Sequence, residues 1–272
     1  MLTITEPKKD KSMKKLSLKT LLKNNWIFYL LTILAALAMR HFSRVTDSDT
    51  LLWILAPTTR WAGILGGIPF EYLPHMGYVN HFYRFLIAPS CSGIRFMMVS
   101  FLMLIFSFIH RFSLSRAKAF WFGCSAVFSY LFTIFVNGIR ITIAIYLPIP
   151  LEKAGLLTGL LNPDRLHTLI GTVVYFSSLC VFYPLASCLC RYLFVLLSDK
   201  YADSFSSASE PESKLLIPAF WYLLAVLVIP FAGRVLRNDW EGFGSYALLI
   251  SVACIIILAV SRLIRRLFPP HA

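Results

Sequence analysis

Cys91 stands between two serines in the stretch Ala88-Pro89-Ser90-Cys91-Ser92-Gly93, directly ahead of a long apolar run. A thiolate is a strong nucleophile, and the free N–H groups at a helix N-terminus favour the charged form of a thiol. In this placement Ser90 or Ser92 is expected to cap the helix, and Gly93 to leave room for a substrate backbone. The plain alternative is a small buried side chain, which is what cysteine usually is. Arg140 lies in the apolar stretch Asn137-Gly138-Ile139-Arg140-Ile141. A guanidinium inside a membrane segment costs at least about 2.5–3.5 kcal/mol, and such residues face a wet cavity or a partner. Its chemical reading is a fixed positive charge that steadies an oxyanion, with Asn137 on the same helical face as a further donor. Snorkelling to headgroups is the alternative. His167 follows Pro163 and Asp164. As a base it would take the thiol proton and later protonate a leaving amine; alone, it reads more readily as a residue of a helix's first turn. Asp164, three residues earlier, is placed to orient the ring, and Arg165 reads as an interfacial anchor.

The elements that must position these groups are membrane helices. Of 272 residues 58% are hydrophobic and 14% charged, well under the charged share of a soluble domain. Runs at 93–109, 120–147, 166–185, 215–231 and 246–260 with its flanks are long and oily enough to span a bilayer, and 26–39 is a shorter one completed by its flanks. The sequence therefore predicts an all-α polytopic membrane protein, a bundle of about six transmembrane helices. The stretch 51–70 is apolar but interrupted by Pro57-Thr58-Thr59-Arg60 and by Gly63, Gly66 and Gly67, and is expected to be interfacial or re-entrant.

A net charge of +13 raises the possibility of nucleic acid, but the distribution points to loops. Seven lysines from Lys8 to Lys23 precede Trp26, and further basic residues cluster at 110–118, 191–214 and 262–266. Basic loops mark the cytoplasmic side, so the expectation is an inside N-terminus and no nucleic-acid partner. Ala36-Leu37-Ala38 offers a small-residue cleavage pattern, but Met39-Arg40 follows at once and favours a retained anchor. The polar stretch 71–90 becomes an outer loop leading to Cys91. Counting crossings places Cys91, Arg140 and His167 at one depth, near the outer face, on three successive helices. Cys124, Cys180, Cys188, Cys190 and Cys254 all fall in or beside apolar runs and read as small hydrophobes. No metal or cofactor is expected: HExxH is absent, and Glu71, Glu152, Asp164, Asp239 and Glu241 have no ligand spacing.

Pro89–Arg95 (PSCSGIR), Asn137–Ile141 (NGIRI) and His167–Gly171 (HTLIG) resemble, in order and spacing, the three motif blocks of the exosortase/archaeosortase family. One departure is Gly138, smaller than the family's residue there. The resemblance runs over about 51–185. It implies a membrane-embedded cysteine protease–transpeptidase with Cys91 as nucleophile, Arg140 as clamp and His167 as base, and with Asn137, Ser92, Gly93, Arg95 and Asp164 in supporting positions. It implies a bacterial plasma-membrane location with the site facing outward. Its expected partners are membrane lipid and exported proteins that end in a short motif such as Pro-Glu-Pro, a transmembrane helix and a basic tail. A cell-envelope acceptor molecule is a further partner that the resemblance implies. The corresponding organisation is a basic N-terminus and first anchor at 1–50, a catalytic membrane core at 51–190, a cytoplasmic linker at 191–214 and a transmembrane hairpin at 215–272. Two rivals stay open: a small transporter or channel binding an anionic solute at Arg140, and a non-enzymatic membrane assembly factor.

Overall fold

The computed structural model describes residues 18–112, 114–156, 162–197, 216–237 and 242–267. Lys8, Lys9, Lys11, Lys14 and Lys15, the segment 198–214, and Asp239 and Glu241 lie outside the described residues. The protein is an all-α polytopic membrane protein with one small sheet. Its helices are α1 (Leu18–Val45), α2 (Leu52–Gly66), α3 (Ile94–Phe108), α4 (Ser115–Tyr146), α5 (Pro148–Lys153), α6 (Pro163–Leu197), α7 (Leu216–Leu223), α8 (Ile229–Arg237) and α9 (Phe243–Leu267). A π-helical turn, Leu224–Val228, joins α7 to α8. Among the described residues six helical stretches are long and apolar enough to cross a membrane: Leu22–Ser43, Pro89–Arg111, Ser115–Lys153, Pro163–Leu193, Leu216–Val235 and Phe243–Leu263. The helix α6 continues through Arg191 to Leu197, so the start of the expected linker is helix instead.

At the centre stands α3, touching α1, α4, α6 and α7. Its inward face, including Phe96, Met103 and Phe108, joins a large apolar cluster with Trp121, Phe176, Tyr183 and Tyr222. A second cluster gathers Leu51, Ile54 and Leu55 at the start of α2, Ile87 and Cys91 ahead of α3, and Ile141 and Ile145 from α4. Lys118 Nζ donates to Asn24 O at 3.2 Å, tying the starts of α1 and α4 together at the end of the bundle opposite Arg140.

The helix α2 has 15 residues, so it is about 22 Å long, shorter than a hydrocarbon core of about 30 Å. It runs alongside the second half of α4 in the same direction, with Trp53 stacked on Tyr130 and Tyr146 Oη bonded to Gly66 O at 2.6 Å. The expected interruption at Pro57 does not occur, and the reason is specific. Proline lacks the N–H that would bond the carbonyl four residues earlier; that carbonyl, Trp53 O, instead accepts from Tyr130 Oη at 2.6 Å. The helix ends at Gly67, whose φ of 62° is left-handed.

The expected outer loop at 71–90 contains a three-stranded antiparallel sheet: β1 (Glu71–Leu73), β2 (Gly77–Asn80) and β3 (Phe85–Ile87), in the order β1-β2-β3. Tyr72 pairs with Tyr78, and Tyr78 with Ile87. Gly77 has φ 118°, and a Cβ there would come within 2.3 Å of Ile87 O. Asp49 anchors the sheet, accepting from Tyr72 Oη at 2.6 Å and His75 N at 2.8 Å.

Candidate active site

The chain leaves β3 at Ile87 and turns through a short 3-10 turn, Pro89–Cys91, in which Cys91 N bonds Ala88 O at 2.8 Å. Gly93 then caps α3 with φ 76°. Cys91 therefore stands just outside the helix, ahead of its cap. Neither serine caps α3: its N-cap is Gly93, with no side-chain hydrogen bond. Ser90 is exposed and Ser92 buried. Gly93 makes room for α4 rather than for a substrate, since a Cβ there would lie 3.0 Å from both Asn137 Nδ2 and Thr133 Cγ2.

Arg140 projects from α4 six residues before its end, and His167 from α6 four residues after its start. These antiparallel neighbours bring the two groups together: Arg140 Nη2 and His167 Nε2 are 2.5 Å apart. Arginine can only donate, so Nε2 is the acceptor, which makes the resting imidazole neutral with its proton on Nδ1. Arg140 Nη1 donates to Asn137 Oδ1 at 3.3 Å. The same oxygen accepts from Tyr175 Oη at 2.7 Å, while Asn137 Nδ2 donates to Cys91 O at 2.6 Å. The Arg140 contact fixes which end of the amide is oxygen. Asn137 is fully buried and, through Arg140, joins all three motif blocks.

Arg140 is 7% exposed, and its Nε is buried without a hydrogen-bond partner. It lies beside Gly171 on α6, where a Cβ would be in ordinary contact with Nε at 3.4 Å. Its guanidinium carbon lies 5.5 Å from the centroid of the Tyr175 ring, which stacks on Phe96 at 4.5 Å. Among the described residues no carboxylate pairs with Arg140. The charge is held by neutral groups alone, an arrangement suited to receiving an anion or a developing oxyanion.

The sulfur of Cys91 makes no hydrogen bond in this network among the described residues, although it lies within electrostatic range of Tyr175. Cys91 is 8% exposed and belongs to the apolar cluster of Ile87, Ile94, Ile141 and Ile145. Among the described residues no hydrogen bond joins its Sγ to His167 or Arg140; its carbonyl makes the link instead. Burial does not single it out either, since Cys180, Cys190 and Cys254 are also buried and all six cysteines are free. Asp164 is exposed, has no hydrogen bond to His167, and lines a separate groove with Ser245 and Tyr246 of α9. Arg95 is exposed on α3, within electrostatic range of Tyr246 rather than in the Arg140 network.

Tyr175 belongs to the network although the motif blocks do not include it. It lies eight residues after His167, two helical turns along the same face, and that spacing is the signal in the sequence that points to it. Gly138 also gains a reason: a Cβ there would fall 2.3 Å from Trp61 Cδ1. Trp61 lies across the glycine and donates from Nε1 to Phe135 O at 3.2 Å. No protein-family model, curated protein or solved structure matches the chain.

Proposed function

We propose that the chain is an exosortase-like intramembrane cysteine protease–transpeptidase of a bacterial plasma membrane, with a cytoplasmic N-terminus and a site near the outer face. It cleaves C-terminal sorting signals of exported proteins. The observation that carries this reading is a buried, carboxylate-free Arg140 held between His167 and an asparagine bonded to the Cys91 backbone. The proposed nucleophile lies in the turn ahead of α3, the proposed clamp on α4 and the proposed base on α6, at one end of the bundle.

The resting contacts suggest an order of events. A scissile carbonyl that engages Arg140 draws the guanidinium off His167 Nε2 and frees that lone pair. Rotation about the Cys91 Cα–Cβ bond brings Sγ out of its apolar cluster toward the imidazole, which takes the thiol proton. The thiolate attacks, Arg140 stabilises the oxyanion, and collapse to a thioester expels the amine, which leaves with the proton from His167. An external nucleophile then resolves the thioester.

The uncompensated charge of Arg140 also suits an anion-binding transporter, and one experiment separates the two. The chain is co-expressed with an exported reporter ending in Pro-Glu-Pro, an apolar helix and a basic tail. Processing of the reporter, followed as a mobility shift, is expected with the wild-type chain and lost by at least about a thousandfold in Cys91→Ala. Undiminished processing by Cys91→Ala sinks the mechanism, whereas a transporter needs Arg140 and tolerates loss of the sulfur.

A further inference from the structure

The end of the bundle opposite Arg140 holds a second buried cation. Lys118 lies in the first turn of α4 and is 7% exposed. Helical side chains lean toward the N-terminus, so its ammonium reaches back over the start of α4, where it meets Asn24 O of α1 at 3.2 Å. An ammonium has three N–H donors, and Asn24 O is its one acceptor among the described residues. No carboxylate among them balances the charge: Asp47, Asp49, Glu71, Glu152 and Asp164 all lie toward the other end.

The start of α4 adds to the imbalance. Its first helical hydrogen bond runs from Lys118 N to Leu114 O, which leaves the N–H groups of Ser115, Arg116 and Ala117 without helical acceptors. Leu114, the N-cap, supplies no side-chain bond, and the first turn contains no acidic residue. Acidic residues are favoured there because the helix dipole is positive at that end; α4 has Arg116 and Lys118 instead. Free N–H groups, the dipole and a buried ammonium thus gather without a counter-charge. A phosphate group has both the charge and enough acceptor oxygens to serve them together. The level suits a lipid headgroup: Leu22 and Trp26 on α1, and Leu114 and Phe120 around the start of α4, are exposed apolar side chains, and tryptophan favours the membrane interface.

We infer that Lys118 and the N-terminus of α4 form a binding site for a phosphate group, carried by an anionic phospholipid or free in solution. Bound there, the phosphate neutralises the tie between α1 and α4. The site depends neither on the acyl-transfer reading nor on which leaflet surrounds it.

The full chain in detergent is melted against short-chain phosphatidylglycerol and, separately, against inorganic phosphate. Phosphatidylglycerol is expected to raise the Tm saturably. Its half-saturating concentration should rise about tenfold or more in Lys118→Gln, whose amide keeps a donor for Asn24 O. Leu114→Asp, at an exposed position, gives α4 its own capping carboxylate and should weaken the ligand by a similar factor. Arg262→Gln removes an exposed cation from the same end and should change the value by less than about twofold, because a charge outside the site is screened. Saturable stabilisation by inorganic phosphate alone, weakened in Lys118→Gln, keeps the site and identifies its ligand as a soluble phosphate. Stabilisation by neither ligand overturns the site, as does stabilisation that survives undiminished in both Lys118→Gln and Leu114→Asp. An equal loss in Arg262→Gln and Lys118→Gln also overturns it, since the attraction is then the general charge of this end. Should Lys118→Gln fail to fold, undiminished stabilisation of Leu114→Asp overturns the site alone.

Discussion

Asn137 uses both acceptor directions of Oδ1, for Arg140 and Tyr175, and donates from Nδ2 to the Cys91 carbonyl. Its conversion to aspartate changes few atoms and two interactions. The carboxylate neutralises Arg140, and the Cys91 carbonyl loses its donor. Asn137→Asp is therefore expected to lower reporter processing by about a hundredfold, the scale of losing one oxyanion donor, while the protein still inserts and folds; processing within threefold of wild type would show that the free charge of Arg140 is irrelevant. Tyr175→Phe keeps the stacking on Phe96 and removes only the hydroxyl bonded to Asn137. A net hydrogen bond is worth about 1 kcal/mol, so the turnover rate should fall about fivefold at saturating reporter, with the half-saturating concentration unchanged.

Two elements flank the site, and each is held by an identifiable contact. For α2 it is the Tyr130 hydroxyl on the carbonyl that Pro57 leaves without a partner. Tyr130→Phe should destabilise the protein by about 1–3 kcal/mol, the cost of an unsatisfied polar group, and a thermal melt in detergent measures it. For the sheet it is Asp49. Its carboxyl is held below the ordinary 3.8, first by the Tyr72 hydroxyl and then by the His75 backbone N–H. The same bond pushes Tyr72 up to about 12. A depressed carboxyl pKa contributes stability above the unfolded value and loses it as pH falls through the folded one. A raised phenol pKa contributes below the unfolded value of 10.0 and loses it as pH rises through the folded one. The anchor is thus intact from about pH 4 to 10 and weakens on both sides. Proteolysis between β1 and β3 should increase below that window in the wild type, and Asp49→Asn should flatten the acid limb.

Across the whole molecule, the site and the sheet lie at one end, and the starts of α1 and α4 at the other. Phe82 at the tip of the sheet is 85% exposed, while Arg116 is exposed at the opposite end. With Cys188 replaced by serine, an impermeant thiol reagent should label Phe82→Cys in intact cells and Arg116→Cys only after permeabilisation. The reverse pattern would turn the bundle over and place the site on the cytoplasmic side, against the proposed function.

Hydrophobic runs alone determine that this chain is a bundle of membrane helices, because about 20 apolar residues suffice to fix a crossing whatever surrounds it. The same parity brings residues 91, 140 and 167 to one end. What the sequence did not reveal depends on contacts between segments distant in the chain. Tyr130 rescues a proline 73 residues earlier, Asp49 organises strands in a stretch that reads as a loop, and Gly93 and Gly138 are small because Asn137 and Trp61 lie against them. Only the tertiary structure decided which atoms of the three motif blocks meet: the Cys91 carbonyl and the His167 lone pair are engaged, and the sulfur makes no hydrogen bond to His167 or Arg140. Helical periodicity sets a residue's face and height, but the partner of each polar atom depends on rotamers and on the packing of neighbouring helices, which no local spacing encodes.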